Sequence, residues 1–225
     1  MAVTDEAILK IKDMLIAGEL RPGDRLPPEK ELSERLGLSR NSLREAVKAL
    51  SLIRVLDVRR GDGTFVTSLE PHLLLEAMAF VVELHQDRST LELFEVRRIL
   101  EPRAAVMATE RATPADLARL AAMLDDVGPH TSVEDLVAHD VMFHGLIAEL
   151  SGNTYLSTLL EGMTGHTLRA RIWRGMTEDH SVERTLAEHR GIVDAMTARN
   201  VDMVRAWTTL HIGGVESWLA RAVET

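Results

Sequence analysis

In the run HDVMFHGLIAEL, Asp140 and His144 stand four residues apart, the spacing that puts two side chains on one face of a helix. That face is apolar, because Leu136, Phe143, Ile147 and Leu150 share it. Two more histidines fall on later apolar stripes: His189 among Leu186, Val193 and Met196, and His211 among Val204, Trp207, Val215 and Trp218. One carboxylate and three imidazoles are therefore expected to point inward from three helices. A buried carboxylate without a partner is costly. Two remedies fit these residue types: each group is hydrogen-bonded within the core, with Asp140 paired to a protonated His144, or all four share a divalent ion. Such a donor set suits Zn, Ni, Co or Mn and does not choose among them.

A six-coordinate ion held by four protein ligands keeps two positions open, which the carboxylate of a small organic acid would fill. Arg97 shares a helix face with Leu93, Leu100 and Ala104 and could fork onto that carboxylate; its alternatives are to face solvent or to pair with Glu101. His166, beside the stripe of Leu159 and Met163, and also Asn153 and Arg171, are further candidates for lining the pocket. Histidines and a carboxylate with open positions also describe non-haem iron oxygenases. Against an enzyme, no separate general base stands out, and the Glu-x-x-His pairs of di-iron bundles are absent.

The elements that must position these groups are helices. From Pro71 onward strand signals vanish, and periodicity predicts helices over 71–85, 90–111, 114–127, 133–151, 154–176, 182–199 and 201–223. Thr113 before Pro114 reads as an N-cap with an N1 proline, Ser132 precedes Asp135 at capping spacing, and Gly128-Pro129 and Gly152-Asn153 are breaks. Helices joined by short loops predict an antiparallel all-α bundle.

Residues 21–66 are built differently. Gly37 stops a short helix over 29–36, Ser39 caps a second one, and Leu38 and Leu43 have the spacing of a hydrophobic staple. Leu43, Ala46, Val47 and Leu50 form the buried stripe of the second helix, leaving Arg40, Asn41 and Arg44 clustered on its first turn. Arg can fork onto guanine, Asn onto adenine, and the capped N-terminus can bind phosphate. An ordinary solvated helix can begin in the same way. The context is a hairpin, strands over 55–58 and 64–67 joined by Arg59-Arg60-Gly61-Asp62-Gly63, whose glycines permit positive φ. Together these parts predict a winged helix-turn-helix over residues 1–68, followed by the bundle over 69–225.

The blocks PGDRLPPEKEL, LGLSRNSLREAVKAL and VRRGDGTFV resemble the N-terminal domain of the GntR family of bacterial transcription regulators. That resemblance implies DNA contacts by Lys30, Ser39, Arg40, Asn41, Arg44, Arg60 and Gly61. Lys30 departs from the family's frequent Arg, and Arg54 stands where a Gly commonly ends the recognition helix, so Arg54 must either lengthen the helix or accept a strained turn. Further on, EVRRILEPRAAVMAT, HDVMFHGLIAELSGN, LAEHRGIVDAM and TLHIGG resemble the FCD-type ligand domain of the FadR-like branch. That domain binds a metal through an Asp-x-x-x-His pair and two later histidines, which implies Asp140, His144, His189 and His211. The resemblance also implies a homodimer on near-palindromic operator DNA, a small carboxylate effector, and repression relieved by that effector. A regulator sensing the metal itself, or an acyl ligand, is the remaining alternative.

Composition agrees with a two-part regulator. Residues 1–66 hold 12 Lys+Arg against 11 Asp+Glu, whereas the rest hold 14 against 24, so the acidic excess lies away from the DNA-reading part. No apolar run reaches the length of a membrane span, no basic and apolar leader opens the chain, and there is no cysteine for a disulfide or thiolate site. The cytoplasm is the expected compartment.

Overall fold

The computed structural model describes residues 3–70 and 89–224, and the chain divides into two compact units, Met1–Met78 and Ala79–Thr225. The helix expected over 71–85 lies outside the described residues.

The first unit contains α1 (Val3–Ile16), α2 (Glu29–Leu36), α3 (Arg40–Leu52), β1 (Leu56–Arg59) and β2 (Gly63–Val66). Sequence reasoning missed α1, although Ala7, Ile11 and Met14 carry its signal at i, i+4 and i+7; all three are buried against Leu32, Leu43, Ala46 and Leu50. Gly37 ends α2 in the left-handed conformation, φ 65°, and Ser39 caps α3 by accepting from the Ser42 N–H at 3.1 Å. At the far end of α3, Arg54 takes φ 59° instead of lengthening the helix. Thr67 secures that turn, its hydroxyl lying 2.6 Å from the Arg54 carbonyl. The strands pair antiparallel, Leu56 opposite Val66 and Arg59 opposite Gly63.

The second unit is helical throughout its described residues: α4 (Ser89–Arg111), α5 (Pro114–Met123) with a 3₁₀ turn over Leu124–Asp126, α6 (Val133–Leu150), α7 (Thr154–Thr177), α8 (Ser181–Thr197) and α9 (Val201–Glu224). The caps fall where residue types place them. Thr113 and Asp116 form a reciprocal capping box, and Ser132 caps α6. Helix α4 runs antiparallel to α9: Arg98 pairs with Glu216 at one end, while Arg199, just before α9, donates to the Thr109 and Ala112 carbonyls at the other. Phe143, Ile147, Ile192, Met196 and Val204 form the centre of one apolar cluster. Gly191 brings α8 and α9 close together, since a Cβ there would lie 2.6 Å from the Trp207 ring. These are the two helices that carry His189 and His211.

Candidate functional site

Asp140 and His144 lie on α6, His189 on α8 and His211 on α9, and one donor atom from each falls within 4.8 Å of the others. The arrangement centres on Asp140 Oδ1, with Nε2 of His189 at 3.1 Å, of His211 at 3.3 Å and of His144 at 3.6 Å. Metal–nitrogen bonds of about 2.0–2.1 Å put neighbouring ligands of one ion about 3–3.5 Å apart, a spacing that His189 and His211 meet and His144 approaches. His144 Nε2 is buried without a hydrogen-bond partner, which is what a ligand atom turned toward an ion would show.

Carboxylates that the sequence reading did not single out as site residues hold two of the rings from behind. Glu188 accepts from His211 Nδ1–H at 2.9 Å, and Glu101 Oε2 lies 3.1 Å from His144 Nδ1. A proton kept on Nδ1 leaves the Nε2 lone pair for an ion. Phe143 stacks on His189 with ring centroids 4.4 Å apart, fixing the third ring by packing. Glu188 was discoverable, because it precedes Ile192 by four residues on the buried face of α8.

The charges are strongly coupled. Burial alone would raise the Glu101 and Asp140 carboxyls, but Arg97 and His144 hold Glu101 well below the usual carboxylate range, and Arg171 and His144 do the same for Asp140. Burial opposes a charged His144, yet Glu101 and Asp140 raise its pKa to about 9, whereas burial lowers His189 to about 3. Without an ion His144 is thus protonated and leans on Glu101. Its 3.6 Å approach to Asp140 is too long for a hydrogen bond.

Of the candidates for an effector pocket, Arg97 and Arg171 join the cluster. Arg97 is buried and pairs with Glu101, so the side-chain pairing and the inward position hold together. Its Nη1 also donates to Thr167 Oγ1 at 2.8 Å, and Arg171 Nη2 donates to the same oxygen at 2.8 Å. Arg171 pairs with Asp140 through Nη1. Thr167 is a junction the sequence reading missed; its signal is its place four residues before Arg171 on the buried side of α7. His166 is half-buried beside it, outside these hydrogen bonds. Asn153 is exposed and uses its side-chain oxygen to cap α7, accepting from Leu156 N–H at 3.1 Å, so the structure does not bring it to the cluster. A cavity of about 30 Å³, on the scale of a carboxylate group, borders Asp140, Arg171 and His211.

In the first unit Lys30, Ser39, Arg40, Asn41, Arg44, Arg60 and Gly61 are all exposed. Arg40, Asn41 and Arg44 share the first turns of α3, and Arg60 and Gly61 form the wing tip. Glu29 holds Arg44 in a fork, with contacts of 2.9 and 3.2 Å. Arg59 is drawn back from the tip, its guanidinium 4.4 Å from the Phe65 ring centre. A groove of about 580 Å³ runs between α3 and the wing and is edged by Arg25, Arg44 and Lys48.

Comparison with known proteins assigns both units. Residues 3–66 match the profile of the bacterial regulatory proteins of the gntR family, and residues 92–214 match the FCD domain. The chain is 30% identical to the HTH-type transcriptional regulator LutR of Bacillus subtilis (strain 168), over 92% of this chain and 96% of that one. It is 28% identical to the galactonate operon transcriptional repressor of Escherichia coli (strain K12), over 88% and 89%. A solved structure of a Streptococcus agalactiae GntR superposes with a TM-score of 0.69 at 28% identity, covering 96% of this chain and 99% of that one.

Proposed function

Because the chain belongs to the gntR family of bacterial regulatory proteins, with an FCD domain behind its DNA-reading head, and is a transcription regulator and not an enzyme, we propose that it is a metal-dependent sensor of a small organic acid. The observation that carries the reading is the convergence of three imidazole Nε2 atoms on Asp140 Oδ1. Asp140, His144, His189 and His211 would hold a divalent ion, which supplies a Lewis-acid position for an oxygen ligand. Glu101 and Glu188 orient the rings, and Arg97 and Arg171 stand where a carboxylate would approach. With an ion in place and His144 neutral, two guanidiniums and the cation outweigh the three carboxylates by one charge, which a monoanionic carboxylate cancels.

In the head (residues 1–68), Arg40, Asn41 and Arg44 read base edges while Ser39, Lys30, Arg60 and Gly61 meet the phosphate backbone. Residues 69–225 form the effector and dimerisation domain. A homodimer sets two such heads on a near-palindromic operator in the cytoplasm, and the acid shifts the equilibrium by its unequal affinity for the DNA-bound and released states. Repression relieved by the acid is favoured by the relative named as a galactonate operon repressor.

Calorimetry with L-lactate and D-galactonate, on metal-loaded and chelator-treated protein, tests this alongside gel shifts on the DNA upstream of the gene. Acid binding is expected only with metal. Equal binding by the stripped protein overturns the metal-centred pocket, and operator binding that responds to metal alone makes the ion itself the signal.

A further inference from the structure

The segment leading into α2 is fastened to the wing. Val66 N–H donates to the Asp24 carbonyl and Leu26 N–H to the Thr64 carbonyl, each at 2.8 Å, so residues 24–26 lie along β2 as a third edge of the hairpin. Arg25, between them, is bridged antiparallel to Phe65. Its guanidinium lies across Gly63: a Cβ there would fall 2.6 Å from Arg25 Nε, so the glycine leaves the space that this side chain occupies. Arg25 is exposed, and among the described residues no carboxylate pairs with it, whereas Glu29 holds Arg44 and Glu45 holds Lys48. An unpaired cation is therefore set in place on a rigid edge.

That cation faces the groove of about 580 Å³ between α3 and the wing. Arg25 stands on the wing side and Arg44 and Lys48 on the α3 side, with Glu29 as the acidic member of the lining. Val47 of α3 and Val58 of β1, the latter 54% exposed, supply apolar walls. A sugar–phosphate strand asks for this combination, cations for its phosphates and apolar contact at its sugars. A helix that enters the major groove by its first turns also lays the rest of its module across a strand bordering that groove.

We infer that Arg25 is a further DNA-contact residue, which clamps a backbone phosphate of the strand lying between α3 and the wing. This assignment rests on the reading of α3 as the helix that enters the DNA. Arg40, Asn41 and Arg44 then face base edges on one side of that strand, Arg60 and Gly61 lie beyond it, and Arg25 grips it in between. Phosphates carry no sequence, so Arg25 contributes affinity and register and not the choice of bases. Its fork can meet two phosphate oxygens at once, which a lysine in its place cannot do although it keeps the charge.

Fluorescence anisotropy of the full chain on a duplex from upstream of the gene, and on a random-sequence duplex of equal length, tests this between about 50 and 200 mM salt. Arg25→Gln is expected to weaken both duplexes by the same factor, roughly tenfold. It should also flatten the plot of log affinity against log salt by about 0.9 for each head engaged. Arg25→Lys should keep the slope of the unaltered protein and recover part of the affinity, which separates a lost phosphate contact from a disturbed wing. An unchanged slope in Arg25→Gln with circular dichroism intact, a loss confined to the upstream duplex, or a slope flattened as much by Lys as by Gln overturns the assignment of Arg25 and leaves the DNA-reading head standing. Unaltered protein that binds neither duplex overturns both.

Discussion

Arg40, Asn41, Arg44 and Arg60 of the head are exposed, and no charged side chain is buried among the described residues of that unit. In the bundle, Arg97, Glu101, Asp140, Arg171, Arg174 and Glu188 are buried together with His144, His189 and His211. The difference separates two ways of attaching chemistry to a fold. In the head the candidate DNA-contact residues ride on a finished apolar core, so they can be changed without disturbing the fold. In the bundle each charge is tolerable only because its neighbours are present, so the site and the fold stand or fall together.

The sharpest way to break this contrast is Asp140→Ala. It leaves Arg171 without its carboxylate and removes the acceptor shared by the imidazoles, and is expected to destabilise the bundle by about 3–5 kcal/mol while abolishing metal binding. Chemical denaturation followed by circular dichroism measures it, and a loss below about 1 kcal/mol would show that water already compensates the group. In the head, Arg40→Ala or Arg44→Ala should weaken operator binding by about 1–3 kcal/mol in a gel shift while shifting unfolding by less than about 0.5 kcal/mol. A clear loss of stability in either variant would place the head in the same class as the bundle.

A titration sharpens the bundle side. With its pKa raised from 6.5 to about 9, His144 is protonated at neutral pH in metal-free protein, whereas His189, lowered to about 3, is neutral. Metal binding at pH 7 should therefore release roughly one proton, seen as a dependence of the calorimetric heat on buffer, and should tighten as pH rises toward 9. In the metal-free protein the His144 contribution to stability is fully present below about 6.5 and lost as pH rises through 9. The smallest effect is expected at Arg54. Replacing it by Gly removes the penalty of φ 59° but loosens the unfolded chain, for a net gain of roughly 0.5 kcal/mol in thermal unfolding.

What was legible in the sequence follows the range of each interaction. Gly37, Ser39, Thr113 and Ser132 act on backbone groups within a few residues, so residue type and spacing were sufficient to place them. Asp140, His144, His189 and His211 betrayed themselves as polar residues on apolar stripes, and periodicity found them one helix at a time. Glu101, Glu188, Thr167 and Arg174 were harder, since a Glu or Arg at a helical position is ordinarily solvated and only the packing of α4, α6, α7 and α8 turns these inward. Asn153 misled for the opposite reason. An Asn before a helix satisfies its N-terminal N–H groups, and that local use took the side chain. Arg54 left two turn conformations open, and the Thr67 hydroxyl, thirteen residues away, accompanies the one adopted.

Arg97 and Glu101 lie within the first four turns of α4. Ser89 opens α4 among the described residues. Arg97 reaches α7 through Thr167, and Glu101 reaches α6 through His144. A group that drew either side chain toward itself would therefore act on α4 together with α6 and α7, the two helices that already grip it.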